Sequence, residues 1–155
     1  MKTILVSCMS IAALACSCGN SNQAQSSGQT PADTTETTAA ISIDGRWNID
    51  NVVVNDSLSV RPSEETPEKA SLITFDGGNY SITTNCNSIQ GSYTLNGDSI
   101  AMNPGLCTEM ACDNMRIEDM IKQVLPEIST VDLVNDSTLR LNSPASAYIV
   151  LSRQK

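Results

Sequence analysis

The sequence predicts an α+β domain: a curved, partly open antiparallel sheet of about eight strands, barrel-like, with one helix inserted after the fifth strand. Three observations predict it. Short runs alternate apolar and polar residues and are separated by turn pairs such as Asp76-Gly77 and Asn96-Gly97, the pattern of antiparallel hairpins. A single stretch, from Asp113 to Leu125, changes to helical spacing. Strands and helices do not alternate along the chain, so a parallel doubly wound sheet is not indicated.

Trp47, Ile49 and Asn51, followed by Val52 to Val54, predict a first strand entered from Asp44-Gly45 and ended by the turn Asn55-Asp56-Ser57. Arg61 to Glu68 is polar, contains Pro62 and Pro67, and reads as a loop. Ser71 to Phe75 and Asn79 to Thr83 make a hairpin across Asp76-Gly77-Gly78, with Ile73, Phe75, Tyr80 and Ile82 at alternating positions. Ile89 to Leu95 and Asp98 to Met102 make a second across Asn96-Gly97, and Asn103-Pro104-Gly105 ends that run. Ile117, Met120, Ile121, Val124 and Leu125 then form one apolar helical stripe. Asp113 suits the N-cap, Glu118 and Lys122 pair four apart, and Pro126 stops the helix. Ile128 to Val134, Thr138 to Asn142 and Ala147 to Ser152 read as the last strands. The helix stripe has to be buried, and closing one end of a barrel would bury it and protect sheet edges.

The N-terminus is of another kind. Met1-Lys2 is a short positive start, and Thr3 to Ala15 is apolar and uncharged. That is shorter than the roughly 20 residues of a spanning helix, so residues 1–15 are expected to be a secretory signal peptide. Ala13-Leu14-Ala15-Cys16 resembles a bacterial lipobox, with Ala15-Cys16-Ser17-Cys18 as an alternative. Cys16 (or Cys18) is therefore expected to carry lipid, palmitate among the acyl chains; several chains on one residue hold a protein stably to a membrane. Ser17, rather than an aspartate, follows Cys16, and no acidic run follows. An outer-membrane anchor facing the periplasm is the expectation. Residues 16–42, rich in Ser, Gln, Thr and Ala, read as a flexible tether. Residues 43–155 read as the folded domain, expected to be monomeric.

Composition limits the chemistry. With 17 Asp and Glu against 9 Lys and Arg, nucleic-acid binding is disfavoured, since it depends on neutralising phosphates. Histidine is absent, which removes Ser-His-Asp and Cys-His arrangements and the commonest transition-metal ligand. No nucleophile–base pair is visible, so the chain is read as not an enzyme, with no cofactor and no metal. Asp113, Glu118, Asp119 and Glu127 read as a solvated face with a cap rather than an acid/base pair. Met102, Met110, Met115 and Met120 read mainly as core filling where they fall at strand or helix spacing. Asn85 and Asn87 read as holding a tight loop through side-chain-to-backbone bonds.

Three cysteines, Cys86, Cys107 and Cys112, fall in the folded part. In an oxidising envelope pairing is the default, and the sequence alone leaves all three pairs open. Cys86–Cys112 closes the longest loop, for which chain entropy gives roughly 3–4 kcal/mol. Cys107-x-x-x-x-Cys112 lacks the further ligands of a zinc site and the Cys-x-x-Cys spacing of redox oxidoreductases.

The run Asn85-Cys86-Asn87-Ser88-Ile89-Gln90-Gly91-Ser92-Tyr93 is similar to the Cys-Asn-x-x-x-Gly-x-Tyr motif of META domains, the family of the heat-shock-associated lipoprotein HslJ. Thr108-Glu109-Met110-Ala111-Cys112 resembles that family's Thr-x-Met-x-Cys motif. Gly45-Arg46-Trp47, the helix after Cys112 and Leu139-x-Leu141 support the likeness, which covers roughly Asp44 to Arg153. The resemblance implies a small domain with a curved antiparallel sheet, envelope location, a link to stress responses and pairing of Cys86 with Cys112. Asn85 stands where many members have Gly, and Cys107 is an additional thiol. The resemblance supplies no catalytic residues. The functional expectation is a non-catalytic envelope lipoprotein serving envelope integrity or stress tolerance through a protein contact. The alternatives are an inhibitor-type module that blocks a lysozyme or protease, and a carrier of a small apolar ligand.

Overall fold

The computed structural model describes residues 41–155; the expected signal peptide, lipidated cysteine and most of the tether lie outside them. The strands are β1 (Gly45–Val54), β2 (Leu58–Val60), β3 (Leu72–Asp76), β4 (Asn79–Thr83), β5 (Ser88–Asn96), β6 (Ser99–Cys107), β7 (Thr130–Asn135), β8 (Thr138–Asn142) and β9 (Tyr148–Arg153). A one-turn helix α1 (Pro62–Glu65) follows β2, and the main helix α2 (Arg116–Val124) runs into a 3-10 turn (Leu125–Glu127).

All pairings are antiparallel, in the order β2-β1-β3-β4-β5-β6-β7-β8-β9, and β1 also pairs with β9. Eight strands thus close into a barrel, with β2 as an added strand on β1. The antiparallel barrel-like sheet with a single main helix is as the sequence predicts. The ring is thinnest between β6 and β7, which meet at one register position, Ser99 and Thr130. Two backbone bonds widen that seam, Ile100 N–H to the Ser129 carbonyl at 3.0 Å and Val131 N–H to the Asp98 carbonyl at 2.8 Å.

The hairpin turns form where expected. Gly77 and Gly78 (φ +53° and +84°) join β3 to β4, and Gly97 (φ +63°) sits between β5 and β6, conformations that cost glycine nothing. Asn55 and Asp56 also adopt positive φ (53° and 55°), and this tight turn creates β2, a strand the sequence reading did not include. The segment read as a loop contains α1, with Pro62 in its first turn. The sixth strand does not end at Met102. It continues through Pro104 and Gly105 to Cys107, because its outer edge has no strand partner there and an edge tolerates a residue without an N–H. Pro104 also blunts that edge against strand addition.

The helix begins later than Asp113 would place it. Met115 is the N-cap and makes no side-chain cap bond, while Asn114 Oδ1 accepts from the Arg116 N–H at 3.1 Å. Asn114 therefore does the local capping work, and α2 ends before Pro126 as expected. Its stripe, Ile117, Met120, Ile121 and Val124, is buried and packs against β1 and β2. The barrel interior is filled by side chains, with Trp47, Ile73, Phe75, Ile82, Leu139, Leu141, Ile149 and Leu151 at 1% exposure or less. That is the capacity of an eight-stranded barrel. Trp47 anchors the start of the domain: its indole N–H donates to the Ile43 carbonyl at 2.8 Å, and the Arg153 guanidinium lies 4.2 Å over its ring. Ile41 packs partly against the same core.

Candidate functional site: a doubly held loop

Both cysteines fall in loops, and the fold brings them together at one end of the barrel. Cys86 lies in the tight connection between β4 and β5, and Cys112 in the segment between β6 and α2. They are disulfide-bonded, with Cα atoms 6.1 Å apart.

The β4–β5 connection is rigid because Thr84 organises it. Its hydroxyl donates to the Asn87 carbonyl at 3.0 Å and accepts from the N–H groups of Cys86 at 3.2 Å and Asn87 at 2.9 Å. Asn87 is thereby turned inward, with 2% of its surface exposed. Its Oδ1 accepts from the Met110 N–H at 2.8 Å and the Thr108 hydroxyl at 2.8 Å. Its Nδ2 donates to the Met110 carbonyl at 3.0 Å. The amide thus pairs with both backbone groups of Met110, as a neighbouring strand would. Thr108 completes the junction, its hydroxyl accepting from the Ser88 N–H at 3.0 Å and its own N–H donating to the Ser88 carbonyl at 3.0 Å.

Cys86, Asn87, Thr108, Met110 and Cys112 therefore form one cluster, in which the disulfide and the Asn87 and Thr108 side chains fix the backbone of both loops. What the arrangement displays is apolar. The Met110 side chain is 60% exposed and that of Leu106 78%, on either side of Thr108 and Glu109. Met102 and Met120 fill the core, at 5% and 4%; Met110 does not. Beside the disulfide lies an open cleft of about 350 Å³ bordered by Lys69, Asn85, Cys112 and Asn114. Asn85 Nδ2 donates to the Asn114 carbonyl at 2.8 Å, and Lys69 Nζ donates to the Asn85 carbonyl at 3.0 Å.

Gly91 and Tyr93 lie apart from this cluster, along β5. Gly91 is paired with Tyr80, and a Cβ there would run into the Tyr80 ring and the Asn103 carbonyl. The missing side chain is what lets the tyrosine lie across the strand. Gly91→Ala is accordingly expected to lower stability by about 1–3 kcal/mol, as overpacking does, read from the urea midpoint at unchanged slope. Tyr93 packs edge-on against Phe75, ring centroids 5.2 Å apart, and its hydroxyl donates to Asp44 Oδ1 at 2.9 Å, tying β5 to the residue before β1.

Burial, and then the Asp44 bond, push the Tyr93 phenol above its ordinary value of 10.0; burial alone pushes up that of Tyr80. Groups whose folded pKa is raised give stability that is whole below the unfolded value and is lost as pH rises through the folded one. Urea titrations at stepped alkaline pH should therefore show stability falling above about pH 10, less steeply for Tyr93→Phe.

Among the described residues, no three or more His, Cys, Asp or Glu side chains gather as they would around a metal ion. One acidic residue does not lie where the sequence placed it. Glu118, read as part of a solvated face, is wholly buried, with Lys122 Nζ 2.6 Å from its Oε1. A charge within the helical stripe gives no sequence sign of which way it faces. Thr84, which shapes the loop, was also missed; Thr84-x-x-Asn87 is the only trace it leaves.

A family model described as the META domain matches residues 27–155. The chain belongs to the META domain family. Among solved structures, this META domain is similar to an NMR structure of a protein from Burkholderia xenovorans, at 19% identity over 72% of this chain and 83% of that one, TM-score 0.58. It is also similar to a crystal structure of a DUF4847 family protein from Bacteroides vulgatus, at 16% identity over 72% and 94%, TM-score 0.51. At these identities the likeness is one of fold. No curated protein matches at a significant level. The META motif residues Asn87, Gly91, Tyr93 and Thr108 act here on backbone, turn and packing, and Met110 contributes its backbone to the junction while presenting its side chain outward.

Proposed function

We propose that this META domain protein is a non-catalytic lipoprotein of the bacterial outer membrane, facing the periplasm, that supports envelope integrity or stress tolerance through a protein contact. The lipobox-like Ala13-Leu14-Ala15-Cys16 and the tether composition support the location. The observation that carries the contact is the exposed pair Leu106 and Met110, the latter on a segment held by both a disulfide and the Asn87 amide. Rigid display of apolar side chains lowers the entropy lost on binding, and apolar anchors at the centre of a contact supply much of its energy. A barrel filled by its own side chains favours a surface contact over carriage of an apolar ligand.

A photo-crosslinking residue placed at position 110, in cells of the native host, should give a discrete adduct that the same residue at Asn55, in the β1–β2 turn, does not. Gene deletion should sensitise cells to heat or to envelope-active drugs. Crosslinks that do not depend on position, together with a wild-type response to several stresses, would sink the proposal.

A further inference from the structure

The two halves of the disulfide are unevenly shielded. Cys86 is 9% exposed, and its Sγ lies 3.5 Å from Asn87 Nδ2 and 3.3 Å from the Met110 carbonyl oxygen. Cys112 is exposed and borders the open cleft, so a thiolate arriving from solvent meets this side of the bond first. Thiol–disulfide exchange depends on which sulfur can be reached and on how well the other one leaves. Both factors choose the same direction here. Asn87 Nδ2 is placed to donate to a Cys86 thiolate, and a hydrogen bond to the charged form favours it. The Met110 carbonyl is placed to accept the S–H once that thiolate is protonated, through the lone pair that Asn87 does not engage. The cleft also carries a sign. Its lining holds three carboxylates, Glu65, Glu68 and Asp113, and one ammonium, Lys69. Glu65 is paired with Arg116 at 2.7 Å, whereas Glu68 and Asp113 are exposed and take no ion pair among the described residues.

We propose that Cys112 is the point of entry for reduction of this disulfide by a dithiol whose reactive sulfur is surrounded by positive charge. One thiolate of the dithiol attacks Cys112 Sγ, and the new S–S bond forms as the Cys86–Cys112 bond breaks. The electron pair leaves on Cys86, which takes up a proton. The second thiolate of the dithiol then attacks its own first sulfur and closes a disulfide there. The pair now leaves on Cys112, which is protonated in turn. The protein gains two electrons and two protons, and the dithiol loses the same. Exposed disulfides are the labile and regulatory ones as a class, and this one ties down the segment that carries Met110. Its reduction leaves that segment on hydrogen bonds alone, those of Asn87 and Thr108. The exchange stands independently of the proposed function.

The test uses the full chain with its disulfide intact and three single thiols as probes: cysteamine, 2-mercaptoethanol and glutathione. Each reaction is quenched in acid, free thiols are capped with N-ethylmaleimide, and fragmentation mass spectrometry locates the mixed disulfide. The probe should be found on Cys112 with the cap on Cys86. Exchange should outrun global unfolding measured in the same buffer, because the bond is reached without opening the barrel. With each probe normalised to its rate on a neutral model disulfide, cationic cysteamine should react about tenfold faster than anionic glutathione at low salt. Added salt should narrow that ratio, and so should Glu68→Gln/Asp113→Asn, which removes two exposed charges and leaves the core untouched. Adducts divided evenly between the two sulfurs, a rate that follows global unfolding, or equal normalised rates for all three thiols would each overturn the proposal.

Discussion

Asn87→Ala is expected to destabilise the domain by about 3 kcal/mol, far more than its size suggests. The side chain makes three good hydrogen bonds, two to the Met110 backbone and one from Thr108. Each is worth about 1 kcal/mol net, and the partners left in a buried site lose more than that. The Asn87 side chain excludes water from the junction, at 2% exposure, so solvent does not replace it freely. Asn87→Asp sharpens the test. It keeps an acceptor for Met110 N–H and Thr108 but sets a carboxylate oxygen against the Met110 carbonyl, where Nδ2 now donates at 3.0 Å. It should cost at least as much as alanine at neutral pH and less in acid, as protonation restores a donor. Urea unfolding at constant slope measures both. A loss under about 1 kcal/mol for alanine would mean that the junction relaxes around water and that Asn87 does not hold the Met110 segment.

The hairpins were legible because their signals are local: Asp76-Gly77-Gly78 and Asn96-Gly97 set both turn and register within a few residues. The helix stripe was legible for the same reason. What escaped depends on partners distant in sequence. β2 has three residues, two of them exposed, too few to show a period, and it forms because Val52 to Val54 offer an edge. Pro104 reads as a stop in one dimension and becomes tolerable once its strand lies at an edge. At the site, the chemistry of Asn87 as a binder of backbone was readable, but not that its partner lies 23 residues on. Glu118 is the plainest case. Its pairing with Lys122 follows from helical spacing, yet its burial follows from the way α2 packs onto the barrel against β1 and β2. Met110, which a hydropathy reading sends to the core, stands outside because both of its backbone groups are engaged from within.

Removing the disulfide should be the second large effect, and it should couple to the first. Cys86 and Cys112 are 26 residues apart, and closing a loop of that size restricts the unfolded chain by roughly 3–4 kcal/mol. The Cys86→Ser/Cys112→Ser double variant should lose about that much in urea. The bond also does something locally that loop entropy does not describe, since it ties the Met110 segment to the loop that carries Asn87. With the bond intact, that segment cannot leave without disturbing the β4–β5 connection, so Asn87→Ala bears its full cost. Without it, the segment from Thr108 to Cys112 can open while the barrel stays folded, as weakly held units do. The cost of Asn87→Ala is then capped by the free energy of that opening. A cycle of the two changes should accordingly be less than additive by about 1 kcal/mol or more, and amide exchange at Met110 should quicken well before global unfolding in the serine variant. Strict additivity would mean that the disulfide acts only on the unfolded chain. Met110 would then owe its outward display to the Asn87 amide alone.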